Sequence, residues 1–185
     1  MSLDSGETHT GLRLRGERLA GERLRMAELR DCRLTDCDLS NAEWELCRLE
    51  EVVFEGCRLT GFRLAECRGV DVALRDCQAR YLQLDRCRLE EVRFERCQLV
   101  ECTLMRSELV RAVLIECNLA GAVLSGSRLR GADLRGCGIA GIRATIDDLT
   151  GAVIDPDQAA AVLRGEAGIR VVPAGVDLED IPPDR

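Results

Sequence analysis

The chain contains no lysine: all 26 of its basic residues are arginine. It has one histidine, His9, and only 3% of its residues are aromatic. Each shortage removes a class of function. Without lysine, glycine-rich pieces such as Leu129-Arg130-Gly131-Ala132 cannot be phosphate-cradling P-loops and read as turns. One histidine near the N-terminus can complete neither a Ser/His/Asp nor a Cys/His nucleophile, nor join cysteines in a zinc set. No run of eighteen apolar residues offers a membrane span, and Met1–Thr10 lacks the basic and apolar regions of a signal peptide. The expected location is therefore cytoplasmic, with no membrane partner. A net charge of −7 argues against direct nucleic-acid binding through phosphate neutralisation. At 185 residues the chain is long enough for one continuous core, which must be built from Leu, Val, Ala and Cys.

Cysteine, in contrast, is abundant, with eleven copies. The odd count, the lack of a signal peptide and the absence of any CxxC pair argue against disulfides and zinc. Reduced thiols acting as small apolar packing residues are expected. All eleven lie on one five-residue lattice, at 32, 37, 47, 57, 67, 77, 87, 97, 102, 117 and 137. Two positions after each lattice point runs a second set, from Leu14 to Ile154, which is predominantly Leu. A period of five matches neither a helix at 3.6 nor a flat strand at 2. Fixed-period repeats mean stacked units sharing a core. Sorting by twenty places Cys37, Cys57, Cys77, Cys97, Cys117 and Cys137 in one column and Cys47, Cys67 and Cys87 in another. Like side chains stacked on successive turns suit a β-solenoid.

The units Cys37-Asp38-Leu39-Ser40-Asn41, Cys117-Asn118-Leu119-Ala120-Gly121 and Ala132-Asp133-Leu134-Arg135-Gly136 resemble the pentapeptide-repeat family. The resemblance implies an all-β fold: a right-handed quadrilateral β-helix of about seven coils, four pentapeptides to each, with a short C-terminal capping helix. At strand spacing that is a rod roughly 35 Å long. The expected organisation is a flexible N-terminal tail over 1–11, the repeat solenoid over 12–155, a cap of helix plus short strand over 156–172, and a disordered acidic tail over 173–185.

Details of the lattice carry further expectations. Ten glycines (16, 21, 56, 61, 121, 126, 131, 136, 141 and 151) share one position, where a corner needs φ > 0. Gly69 and Ala79 leave inward positions undersized while Phe62 and Leu82 are oversized, which reads as volume compensation or as drift that leaves a cavity. Glu17, Glu22 and Asp147 fall at inward positions, where an unpaired carboxylate cannot be buried, so the ends should be irregular. Asp155 reads as a helix N-cap, Pro156 as the first helical residue and Gln158 as the second half of a capping box. An apolar face over Ala159–Leu163 should end at Gly165 and Gly168, and a strand over Ile169–Val172 should follow. The rod ends expose backbone edges that need covering.

No catalytic, cofactor or metal site is expected. The segment Gly151–Ala159 followed by Gly168-Ile169-Arg170-Val171 is similar to the end of the fluoroquinolone-resistance pentapeptide-repeat proteins. That resemblance implies a modulator of bacterial DNA gyrase or another type II topoisomerase that mimics DNA, and a homodimer through the cap at Ala159, Val162, Leu163, Ile169 and Val171. Charge is distributed unevenly for such a role. Residues 1–11 at −2 and 157–185 at −3 leave only −2 of the total −7 on the repeats. An acidic corner at Glu50, Glu51, Asp71, Glu90 and Glu91 is the candidate DNA-like interface; the alternative is a salt-bridged ladder that only solubilises the face. A second candidate is apolar: Val100, Met105, Val110 and Ile115 occupy successive outward positions, with Val113 beside them. These suit a generic protein-interaction scaffold, or simply the β-branched preference of strands.

Overall fold

The computed structural model describes residues 3–166. The chain forms a mostly β solenoid of about five turns of paired strands, with one short C-terminal helix. Every strand pairing is parallel and joins residues twenty apart. The nine-stranded sheet holds β1 (Thr8–Thr10), β2 (Arg13–Arg15), β4 (Glu28–Thr35), β6 (Arg48–Glu55), β8 (Arg68–Arg75), β10 (Arg88–Glu90), β11 (Arg93–Glu95), β13 (Glu108–Val110) and β14 (Val113–Ile115). The five-stranded sheet holds β3 (Arg23–Arg25), β5 (Glu43–Glu45), β7 (Arg63–Ala65), β9 (Gln83–Asp85) and β12 (Thr103–Met105). The nine-stranded sheet contains two ladders, because β4, β6 and β8 each pass through a corner. The first ladder centres on Leu29, Leu49, Gly69, Leu89 and Leu109, and the second on Leu34, Phe54, Leu74, Phe94 and Leu114. A third is made of single bridges from Arg18↔Asp38 to Asn118↔Gly138, and the five-stranded sheet is the fourth. Single bridges continue the stack as far as Asp133↔Val153.

The pentapeptide explains this geometry locally. Its small residue and its Leu alternate inward at strand period, the residue between them points out, and the fifth turns the corner. The Leu set is buried along the rod from Leu14 to Ile139, and each fully buried Leu or Phe stabilises by roughly 1.5–3 kcal/mol. Trp44, Phe54 and Phe62 form an aromatic cluster with centroids 5.2–6.2 Å apart. At Gly69 the missing side chain leaves no hole. A Cβ built there would lie 2.8 Å from Leu89 Cδ2 and 3.0 Å from Val72 Cγ2, so neighbours have closed the space. The remaining gap beside Phe54, Leu82 and Leu89 is about 10 Å³, too small to be comfortable for one water. Compensation, not drift with a cavity, describes the Gly69 region.

Both ends depart from expectation in instructive ways. Thr8–Thr10, expected in a flexible tail, form β1 against Glu28–Arg30, and Gly6 and Gly11 already take left-handed corners. The phase was hidden because the inward positions of this first turn are polar. His9 stands in register with Leu29, and its Nε2 lies 3.2 Å from the Asp4 amide; Glu7 and Glu22 are exposed. At the other end Asp147 turns out to solvent and Asp148 turns in. The Asp148 carboxylate accepts the Gly126 amide (2.8 Å) and the Thr145 amide and hydroxyl (both 2.9 Å). It replaces the carbonyl that a regular turn offers, as Ala140 does for Gly121.

The helix α1 (Pro156–Glu166) begins with the reciprocal pair expected of a capping box: Asp155 N–H donates to Gln158 Oε1 and Gln158 N–H to Asp155 Oδ1, both at 2.9 Å. Gln158 does more than cap. Its amide nitrogen donates to the carbonyls of Leu134 (2.6 Å) and Cys137 (2.9 Å), tying the helix to the last turns, and Val162 closes the core. The helix runs on through Gly165 rather than stopping there. The expected strand over 169–172 and acidic tail over 173–185 lie outside the described residues.

Candidate functional site

All eleven cysteines are free and buried. Nine of the eleven thiols, all but Cys37 and Cys102, find a carbonyl twenty-three residues earlier: Cys57 donates to Leu34 (3.3 Å), Cys97 to Leu74 (3.3 Å) and Cys117 to Phe94 (3.3 Å). Burial pushes the Cys102 thiol up to about 12 and raises that of Cys37 as well, the opposite of a nucleophilic cysteine. Among the described residues no three His, Cys, Asp or Glu side chains are arranged to hold a metal ion, and no helix is long and apolar enough to cross a membrane. Apart from Asp148, the charged side chains of the described residues stand on the outer surface of the rod.

That surface is organised by the corners. The ten glycines anticipated at φ > 0 are all there, at 62–79°. The same lattice position also holds seventeen non-glycine residues at φ 46–59°, among them Met26, Asp31, Leu46, Glu51, Asp71, Glu91 and Arg111. L-residues adopt this region reluctantly, Asp and Asn least so. Each such corner thrusts its side chain out along an edge of the rod.

The edge between the first and second ladders is acidic. Asp31, Glu51, Asp71 and Glu91 follow one another there, one per turn at about 4.8 Å, and Glu50 and Glu90 precede two of them in β6 and β10. All five acids of the predicted corner are thus brought together. The ends of the row are compensated: Arg13 meets Asp31 (2.8 Å), Arg30 meets Glu50 (3.5 Å), and Arg111 meets Glu91 (3.0 Å) and Glu90 (3.6 Å). In the middle, Glu51 and Asp71 have no guanidinium within 4 Å among the described residues. Nearby, the Arg30 guanidinium 2.7 Å from Glu28 holds that carboxyl below its ordinary range. A ladder of Arg48, Arg68 and Arg88 runs parallel to the acids on the same face. The salt-bridged reading therefore describes the two ends of the row and fails at its centre.

The apolar candidates do not form one patch. Val100, Met105, Val110 and Ile115 stand on the third, fourth, first and second ladders in turn, because residues five apart occupy successive sides of one turn. Only Val113 and Ile115 share a strand, and Ile115 is 41% exposed. Sequence reading missed the apolar corner Met26 and Leu46, which stack one above the other at 62% and 45% exposure. Their signal was their place on the corner lattice. In the cap, Val162 is buried against its own rod and Ala159 and Leu163 are half-buried; Ile169 and Val171 lie outside the described residues.

Two family models match the chain: a pentapeptide repeat region over residues 27–104 and pentapeptide repeats, eight copies, over 107–137. Together they span more than half of it. The curated proteins contain no match. Solved structures similar to the chain include trypsin-treated QnrB1, a plasmid-mediated fluoroquinolone resistance protein (19% identity, 91% of this chain and 93% of that one, TM-score 0.31). Another is HetL, a pentapeptide repeat protein involved in heterocyst differentiation regulation from the cyanobacterium Nostoc sp. (20% identity, 81% and 90%, TM-score 0.33). A third is Rfr23 from the cyanobacterium Cyanothece (19% identity, 82% and 90%, TM-score 0.27). These neighbours differ in role, and at such identities and scores they say nothing of what this chain binds.

Proposed function

Because this chain belongs to the pentapeptide-repeat family, we propose that it is a non-catalytic, cytoplasmic protein-binding rod that modulates bacterial DNA gyrase or another type II topoisomerase by offering a DNA-like acidic edge. The rod is read as right-handed and quadrilateral, with about seven coils once the single bridges are counted with the strands. The observation that carries the functional reading is the uncompensated centre of the acid row, Glu51 and Asp71, in a solenoid whose average charge is near neutral. Duplex DNA presents one charge per ~1.7 Å of axis, so mimicry must rest on this edge and not on the bulk. Protection against fluoroquinolones would follow from occupancy of the DNA-binding surface. The cap is read as joining two chains tail to tail through a closed, isologous contact.

The test is a supercoiling assay with purified gyrase. Glu51→Arg combined with Asp71→Arg should abolish the effect of the protein while its melting temperature stays within a few degrees. A second reading, a generic interaction scaffold, is favoured by the exposed Ile115 beside Val113 on β14. In that case Val113→Ser with Ile115→Ser would remove partner binding and the acidic changes would not. Binding through the acidic edge should also weaken steeply with salt, and apolar docking should not.

A further inference from the structure

The outer surface of the first ladder carries two parallel stripes of opposite sign. Read turn by turn, the outward residue of the strand and the residues at its far end are Arg48 against Glu50 and Glu51, Arg68 against Val70 and Asp71, and Arg88 against Glu90 and Glu91. At the two ends the outward residue of the strand becomes acidic: Glu28 stands against Arg30 and Asp31, the latter paired with Arg13, and Glu108 against Val110 and Arg111. Arg30 meets Glu28 across the stripes at one end (2.7 Å), but on the three central turns no ion pair joins the two stripes among the described residues. Arg48 and Arg88 reach toward Glu28 (3.9 Å) and Glu108 (3.3 Å) on neighbouring turns, and Arg68 has no carboxylate within 4 Å among the described residues. Arg68 and Asp71, three residues apart in β8, are thus opposite charges on one face that are both unpaired. Between the stripes lies an open trough of about 460 Å³ with Gly69 at its centre, and Val70, 49% exposed, lines it between Glu50 and Glu90.

We propose that this face is a docking surface for a second copy of the same chain, laid side by side and parallel, about a two-fold axis that runs along the trough. Such an axis exchanges the stripes, so each arginine ladder faces the other copy's acids. Because both ladders belong to the same solenoid, their spacing is identical at about 4.8 Å, and the match repeats at every turn. Arg48 meets Glu50 of the second copy, and Arg88 meets its Glu90. The stem of Arg68 covers the second copy's Val70 while its guanidinium reaches Asp71, and each contact occurs twice. The sign reversals at Glu28 and Glu108 fix the register. A slip of one turn would set Glu108 against Glu90 and Arg111 against Arg88 of the second copy, so the pairing closes and does not run on as a fibre.

A nucleic acid fits this face less well, since a backbone wide enough to cover the arginines would also cover the acid stripe beside them. The face is about 24 Å long over five turns and one strand wide, below the ~800 Å² per partner of a standard stable interface. The association is therefore weak and salt-sensitive. It covers Glu51 and Asp71, so a second copy and a topoisomerase would exclude each other, although the self-association does not depend on that reading.

Sedimentation velocity on the full chain, with no topoisomerase present, tests this. Whatever species the cap sets, lowering salt from about 500 mM to about 50 mM should double its mass, with at least a roughly tenfold change in dissociation constant. Arg68→Asp alone and Asp71→Arg alone should each abolish that step. Mixing these two variants should restore it, because every facing pair then has opposite signs, and so should the double variant. A wild-type protein whose mass is unchanged by salt overturns the proposal. So does a salt-dependent step that survives Arg68→Asp, or a mixture of the single variants that stays unassociated.

Discussion

The turns between residues 26 and 116 and those between 121 and 151 share one repeat but are built differently. In the first region every corner except Gly56 and Gly61 is a non-glycine residue in the left-handed conformation; in the second every corner but Ile146 is glycine. The first region is paired through strands on three of its four sides, and the last of these, β14, ends at Ile115; beyond it, among the described residues, the stack continues through single bridges alone. The small inward position also shifts, from cysteine most often, with Ala27, Ala42, Ser107 and Ala112 among the exceptions, to mostly alanine and serine, as at Ala122, Ser127 and Ala132, although Cys137 remains. Glycine is thus not required to turn these corners. A left-handed L-residue costs about 1–2 kcal/mol, and what a non-glycine corner adds in return is a side chain on the rod's edge. The first region is where charge is displayed, and the second is a plain stack leading to the cap.

Breaking the core should separate the regions most strongly. Phe54→Ala, in the aromatic cluster, is expected to lower stability by about 3–5 kcal/mol in urea unfolding, and Leu129→Ala, among alanines, by nearer ~2 kcal/mol. Next comes the cap. Gln158→Ala leaves the buried Cys137 carbonyl without its donor and that of Leu134 with only the Cys137 amide (3.2 Å), and should cost about 1–3 kcal/mol. Amide exchange should then accelerate in the glycine-cornered turns and stay unchanged in β4, β6 and β8. Sharper still is a swap of corner types. Leu46→Gly and Met26→Gly should each raise stability by roughly 0.5–1 kcal/mol by relieving the left-handed strain. Gly131→Ala should lower it by about 1 kcal/mol, although its new Cβ would meet nothing nearer than Arg111 Cγ at 3.7 Å. Thermal melts of the three variants decide this.

The smallest effect is one of pH. Amide donors from Gln158 and Gly136 hold the Asp155 carboxyl below its ordinary range. A carboxylate with a depressed folded pKa contributes stability that is fully present above the unfolded value of about 3.9 and is lost as pH falls through the folded one. Asp155→Asn, which can still cap but cannot ionise, should therefore lie below wild type at neutral pH and converge with it in acid, as followed by melting temperature.

How far these features could be read from residues alone depended on whether position on the lattice or residue type carried the signal. The solenoid was legible from Leu14 to Ile154 because a predominantly leucine inward set repeats without a break in its phase. The first turn was lost because Glu7 and His9, at inward positions, are polar. The acid corner was legible because Glu51, Asp71 and Glu91 are twenty apart and so stack. The apolar band misled because 100, 105, 110 and 115 are five apart, close in sequence and on different sides. The seventeen non-glycine corners gave no compositional sign, since a charged residue at a corner looks like any other surface charge.

The cysteine column has a practical corollary. Cys57, Cys77 and Cys97 are fully buried at the middle of the rod, while Cys137, under the cap, is 6% exposed. A thiol so enclosed can meet an alkylating reagent only when its own turn opens. The labelling rate of each cysteine thus reports the free energy of opening at that height. The column is a ruler written along the axis, on which mass spectrometry could read whether the rod melts from its capped end, from its open end or from both at once.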